Sequence, residues 1–497
     1  MGDRAGRGGP SALGAGAHRF CAGRRRRGSV GIGLCLSLSP GSRRGKRVTP
    51  PPVPALSETA TAVCILSILL VPFAAAGLAL VNAGLVRSRS AAHSMLASLC
   101  VMAVGAVVYF VCGFAWQGFA GRPAHALTLA GRAWSWIAAE PFFWRGLEFN
   151  GSPASLAAWL GALGAGLAAL IPLGAGAERW RLGASCASTA LLAGWTYPLF
   201  AHWVWGGGWL AQLGINYGLG RGFVDAGGSS SIQALGGLTA LAVAWILGPR
   251  RGKYSAEGMP AAIPGHNAVV ILFGCLVALV GWLGLNSAGA ILFTGAEPGR
   301  VVLIAVNTTL AAAAAALAAA WITHTRFGKP DASLCANGWV SGLVASSAAC
   351  ASVAPALAVL IGLVAGALVP FAVEWFEMRL AVDDPGGAVS VHAVGGLWGV
   401  LALGLFAHFP GPVRNAAGGP WPGSGGSGSG QWLAQLVGVA TLLGFVLPLT
   451  YALNWLLNRF YPQRVAVEGE RQGMDLYELG AGAYPEFLTH TEEFRQR

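Results

Sequence analysis

DAGGSSSIQALGGLTALAVAWILGPRRGKY (225–254) carries the decisive pattern. An aspartate opens it, an uncharged run follows, and Arg250, Arg251 and Lys253 close it. A helix rises about 1.5 Å per residue, so about 20 apolar residues cross the hydrocarbon core of a bilayer. Residues 229–248 therefore read as one membrane span. Asp225 is placed to cap its start, and the basic cluster marks a cytoplasmic exit. One polar side chain, Gln233, falls two turns further into the run.

Working outward, the same kind of segment recurs. From residue 60 onward eleven apolar runs appear, at roughly 61–86, 94–117, 154–175, 184–206, 229–248, 265–294, 300–323, 333–352, 353–376, 387–408 and 431–457. Pro355 marks the turn between the eighth and ninth. The composition agrees: 55% of the 497 residues are hydrophobic and only 10% are charged, against about 25% in a soluble domain. The mean hydropathy is +0.59. Such a chain cannot cover itself with a water-compatible surface, which excludes a soluble enzyme and a disordered protein. The 74 glycines favour close helix contacts. Cysteines stand singly in apolar runs, so neither a zinc site nor a disulfide framework is expected. GALGAG (161–166) lies inside a span and reads as packing glycines rather than a dinucleotide loop. No metal, cofactor or nucleic acid is implied, and the expectation is a channel or secondary transporter rather than an enzyme.

Orientation follows the short loops. Arg87 and Arg89, Arg179 and Arg181, the Arg250 cluster, Arg326 and Lys329, Arg379, and Arg459 with Arg464 follow the odd-numbered spans. Those exits are cytoplasmic by the positive-inside rule, giving an outside N-terminus and an inside C-terminus. The net charge of +12 is misleading, because eleven Lys/Arg against one acid, Asp3, lie in the first 50 residues. Residues 1–58 form a basic, low-complexity head with the outline of a signal peptide; a nucleic-acid- or phosphate-binding tail and a start placed too far upstream are the alternatives. Residues 59–458 form the membrane domain and 459–497 a cytoplasmic tail.

Ionisable groups at membrane depth are costly and are functional candidates by default. His392 lies in SVHAVGGLWG (390–399), after Asp383-Asp384-Pro385. Asp384 as cap and Pro385 as first helical residue put His392 two turns inside. Gln233 lies at the same offset from Asp225 as His392 from Asp384, and small residues follow both. That shared layout points to inverted halves, spans 1–5 and 6–10, with span 11 extra. Trp205, ending AHWVWGGG (201–208), reads as an interfacial anchor or as a ring face for a small cation. Asn286, in GWLGLNSAG (281–289), reads as a helix-to-helix hydrogen-bond donor.

At these residues the sequence resembles the ammonium transporter / methylamine permease / Rhesus family. The resemblance rests on the 225–254 stretch, GHNAVVILFG (265–274) with GWLGLN, and VDDPGGAVSVHAVGGLWG (382–399). It also rests on AGLALVNAGLVRSRS (76–90), GAGAERWRL (174–182), HWVWGGG (202–208) and the tail GMDLYELGAGAY (473–484). The motifs run in order over about residues 60–485. The resemblance implies an all-α homotrimer with one pore per subunit. Each pore would have an outer cation site, a gate of two stacked phenylalanines and two hydrogen-bonded histidines at its middle. Carried over by position, the outer tryptophan is Trp205 and the signature aspartates are Asp225 and Asp384. Trp282, Leu285 and Asn286 belong to the pore segment of span 6, and Asp475 and Tyr484 to the regulatory tail.

Several positions depart from that pattern. The first pore histidine falls on Gln233, while the second is His392. The gate phenylalanines fall on Gly164 and Leu285, the outer-site serine on Gly289, and the tail's histidine on Leu479. Two imidazoles can pass a proton between them, whereas a glutamine amide does not titrate near neutral pH. A gate lacking both rings is expected to be wider or differently closed. The resemblance implies ammonium or ammonia uptake across the cytoplasmic membrane, with a small trimeric nitrogen-regulatory signalling protein as the partner at the tail. The alternatives are an ammonium sensor of the same fold that moves little or nothing, and a conduit for methylamine or carbon dioxide.

Overall fold

The computed structural model describes residues 55–409 and 430–485. The basic head up to residue 54 lies outside the described residues, as does most of the Gly/Ser-rich 418–430 segment. Nine of the described helices are long and apolar enough to cross a membrane. They are α1 (Glu58–Leu85), α2 (Ser88–Gln117), α3 (Pro153–Gly176), α5 (Ser229–Leu247), α6 (Ala268–Thr294), α7 (Pro298–Phe327), α9 (Pro355–Leu380), α10 (Val389–Phe406) and α11 (Gln431–Phe460). Between them lie α4 (182–204) and α8 (Ala332–Ser347). The α8 helix has 16 residues, about 24 Å of rise. Ser, Thr, Trp, Tyr and His residues dilute the hydropathy of α4.

Small residues set the packing. The α1 and α6 helices run against each other because Gly77 meets the backbone of Ala278 and Gly281 meets that of Ala74, where any Cβ would collide. Helices α7, α8 and α9 form a second tight group. Prolines interrupt the hydrogen-bond ladders of the long helices: Pro72 in α1, Pro172 in α3 and Pro370 in α9. Each removes one ladder hydrogen bond. The outward faces stay apolar, with Phe273 and Leu276 on α6, Leu317 and Trp321 on α7 and Trp375 on α9 all exposed. Such a surface suits hydrocarbon, not water.

The fold is not wholly helical. Inside the 118–150 loop, β1 (Ala124–Leu129) and β2 (Arg132–Ala138) form an antiparallel hairpin. Its two-residue turn, Ala130-Gly131, holds both residues at positive φ (51° and 73°), the twist that hairpin turns favour. The hairpin is pinned to α4. Trp203 Nε1 donates to Trp136 O (2.8 Å), and His202 lies between Gln117 O (2.7 Å) and Ser135 Oγ (3.0 Å). This places Trp205, one residue past the end of α4.

Helices α5 and α10 cross at the centre. A Cβ on Gly237 of α5 would strike His392 and Ala393, and one on Gly396 of α10 would strike Ser229 and Ala234. The contact is reciprocal, and the glycines let the two backbones touch. Both helices also begin alike. Asp225 accepts from the amides of Gly228, Ser229, Ser230 and Ser231 at 2.8–3.0 Å. Asp384 accepts from Ala388 (2.9 Å) and Val389 (2.7 Å). Pro385 is not the first helical residue. It lies in a turn completed by Gly387 at φ 67°, and α10 opens only after it, so His392 is about one turn inside rather than two. The opening turns, Ser229–Ala234 and Val389–Val394, are wound as wider π-helix. That winding recurs where side chains are aimed for function.

Candidate functional site

The crossing brings Gln233 and His392 together. His392 Nδ1 lies 2.8 Å from Gln233 Oε1. An amide oxygen only accepts, so Nδ1 carries the hydrogen and the lone pair is left on Nε2. Gln233 is fully buried and its Nε2 has no partner. The centre therefore offers an amide donor and an imidazole acceptor side by side.

Cavities lie at the N-terminal end of α5, the end that carries Gln233. The outermost has a volume of about 360 Å³ and is lined by Arg221, Thr294, Arg300, His408 and Phe409 among others. Burial, with Arg300 nearby, pulls the Arg221 guanidinium down to about 10, so it stays charged at neutral pH. A second cavity, of about 30 Å³, lies against Trp205, Asp225, Phe293 and Thr294. A third, lined by Tyr197, Trp205, Ile232, Leu285, Gly289 and Phe293 among others, leaves no room for a water molecule. Ile232, the residue before Gln233, is part of its lining.

The remaining candidates fall in different places. Trp205 is buried and donates from Nε1 to Asp225 O (2.7 Å). Leu285 and Gly289 line the third cavity. Trp282 donates to Ser347 Oγ (3.1 Å) and Asn286 Nδ2 to Thr308 Oγ1 (2.9 Å), both contacts to neighbouring helices. Asp225 and Asp384 use their carboxylates to cap their helices, and Asp225 also borders the second cavity. With Gly164 and Leu285 at the expected gate positions, the third cavity is nonetheless closed. Gly164 faces Tyr197, whose hydroxyl would lie 2.6 Å from a Cβ at that position, and Phe293 stacks on Trp205. Neither Tyr197 nor Phe293 was singled out from sequence. The signal was available: Tyr197 precedes Trp205 by eight residues and Phe293 follows Leu285 by eight, so each lies on its helix's cavity face.

The other face of the molecule is closed by charge. Asp383 accepts from Arg250 Nε (2.9 Å) and Nη2 (3.0 Å), with Arg179 at 3.7 Å. Glu178 binds Arg250 (3.1 Å) and Arg87. Burial alone would raise the Asp383 carboxyl, but Arg179 and Arg250 together hold it below its usual value. The Arg179 guanidinium, buried in the same cluster, falls to about 10. The basic residues that sequence supplies as orientation marks are thus largely ion-paired. The tail is latched here: Arg464 binds Leu247 O (2.7 Å) and Glu470 (2.9 Å), and Asp475 accepts from the His93 amide (2.7 Å). Glu478 binds His93 Nε2 (2.9 Å), and the Tyr484 hydroxyl lies 2.9 Å from His266 Nε2.

A many-helix membrane body with a polar pair buried at the crossing of two like-built helices defines a transporter or channel. The family model described as Ammonium Transporter Family matches residues 62–484. The chain belongs to that family. It is 38% identical over 440 residues to the ammonium transporter Amt2 of Archaeoglobus fulgidus, covering 85% of this chain and 88% of that one. It is 30% identical to the ammonium transporter of Bacillus subtilis, over 84% of this chain and 97% of that one. Among solved structures, a sensor Amt protein superposes with a TM-score of 0.73 at 28% identity, covering 84% of this chain and 98% of that one. Mep2 of Candida albicans superposes at 0.69 with 23% identity, over 87% of this chain and 92% of that one, a likeness of fold.

Proposed function

We propose that this chain carries ammonium nitrogen across the cytoplasmic membrane, with neutral ammonia as the species that passes its centre. The observation that supports this most is the Gln233–His392 pair. Ammonium has only donors, so it cannot accept from the unpartnered Gln233 Nε2. Ammonia has a lone pair and three N–H groups and suits both the amide donor and the imidazole acceptor. Ammonium docks near Trp205, whose ring face attracts a cation, and leaves its proton on the outer side. The amide does not take up and release a proton near neutral pH, so no proton follows across the pair.

In this reading eleven helices cross the bilayer, α4 and α8 included, with the N-terminus outside and the tail inside. Spans 1–5 and 6–10 are inverted halves, as the matching starts and reciprocal glycine contacts of α5 and α10 support. Three copies assemble, one pore in each, and the latched tail with Asp475 and Tyr484 is where a small trimeric signalling protein would act. The similarity to a sensor Amt protein does not favour sensing, because the curated relatives are named as transporters. The test is growth at low ammonium of a host stripped of its own ammonium transporters. The wild-type chain restores growth in this reading; equal membrane expression without rescue overturns it.

A further inference from the structure

Cavities, buried polar atoms and ring contacts converge on one place, the boundary between the second and third cavities. Those two cavities have just two lining residues in common, Trp205 and Phe293. The rings of these residues lie parallel, 4.3 Å apart with 7° between their planes. The stacked pair is the partition between the outer side and the shaft. Its two halves are held differently. Trp205 is tied by its indole N–H to Asp225 O. Phe293 has no polar group, is only partly buried and lies one residue from the end of α6, before Gly295 in the left-handed conformation. Phe293 is therefore the ring free to turn.

Directly beneath, the Tyr197 hydroxyl is buried in the wall of the third cavity and has no hydrogen-bond partner. No water fits beside it in the closed arrangement. Gly164 leaves the space that this hydroxyl occupies. A buried hydroxyl without a partner is unfavourable, and a small solute bearing N–H groups relieves it.

We infer that Phe293 is the outer gate of this pore and that the Tyr197 hydroxyl is the first polar ligand of the solute below it. The inference rests on the transport reading above. Turning Phe293 away joins the two cavities and frees a face of Trp205. Ring stacking and cation–π attraction are of similar strength, so an ammonium ion can replace the phenyl ring on Trp205 at little net cost. The N–H groups then reach Tyr197 Oη, which accepts. The gate has moved outward, from positions 164 and 285 to the Trp205–Phe293 pair.

The test uses the full chain in proteoliposomes, with an ammonium gradient, a lumen pH dye and a separate potassium gradient. Phe293→Ala should raise the initial rate at least about threefold and admit a potassium leak. Phe293→Leu, which keeps bulk but not the aromatic stack, should give a smaller rise and covers the case in which the alanine variant does not fold. Tyr197→Phe should weaken apparent ammonium affinity about three- to tenfold at unchanged insertion, the loss of one hydrogen bond. Wild-type rates and affinities in Phe293→Leu and Tyr197→Phe overturn the inference while the transport reading stands. If the wild type itself passes no ammonium, the transport reading fails and the ligand claim is read from thermal stabilisation of purified protein by methylammonium. Tyr197→Phe must then still need several-fold more methylammonium; equal midpoints overturn the inference.

Discussion

Replacing His392 by alanine is the sharpest perturbation of the central pair. Among the described residues, His392 Nδ1–H is the single hydrogen-bond partner of the Gln233 side chain, at 2.8 Å, and the Gln233 Nε2 is already unpartnered. The variant leaves both ends of a fully buried amide unpartnered. Leaving one buried polar group unsatisfied costs about 1–3 kcal/mol. If that cost appears on the barrier to passage, the rate falls about 5- to 150-fold. The assay is lumen alkalinisation of proteoliposomes after an ammonium jump, normalised to inserted protein. His392→Gln restores a donor for Gln233 Oε1 and should recover part of the loss. A His392→Ala rate within twofold of wild type, at equal insertion, would refute the role given to the pair.

Three further outcomes are expected, the first two from the geometry and the third from the family reading. Gln233→His supplies a second imidazole beside His392 and should add a proton-carried current to the flux, read by electrophysiology on the variant; a current no larger than in wild type counts against the amide as the block. Asp383→Asn takes the carboxylate from Arg250 and Arg179, which are 3% and 0% exposed at their side chains, and should destabilise the detergent-solubilised protein by about 3–5 kcal/mol. Because the folded Asp383 carboxyl is held below its ordinary 3.8, its contribution is fully present above that pH and is lost only as pH falls through the lower folded value; a melting temperature that drops already between pH 7 and 5 in wild type but not in the variant contradicts this. The purified protein in mild detergent should have a mass near three chains, and a monodisperse monomer refutes the trimer.

Much of the helical frame was legible because an uncharged run of about 20 residues has few other uses. The offset of eight residues between Asp225 and Gln233, repeated between Asp384 and His392, also carried real geometry, since both aspartates cap and both polar side chains meet. The details that depend on three dimensions were not legible. Pro385 looks like a helix start, yet Gly387 turns the chain first. The hairpin at 124–138 hid in a loop whose length says nothing of its pairing. The absence of phenylalanine at Gly164 and Leu285 suggested a wider or differently closed shaft, and only the packing reveals that Phe293, two turns further along α6, lies over Trp205. The arginines of the short loops suggested an orientation, but their pairing with Glu178 and Asp383 joins residues far apart in the chain.

The central claim is that ammonia passes the Gln233–His392 pair without its proton. Recording membrane current and lumen pH on the same wild-type proteoliposomes, during one ammonium jump, tests it most directly. Lumen alkalinisation well above that of protein-free vesicles, with no sustained current, is expected. A sustained current that grows with ammonium concentration would contradict it.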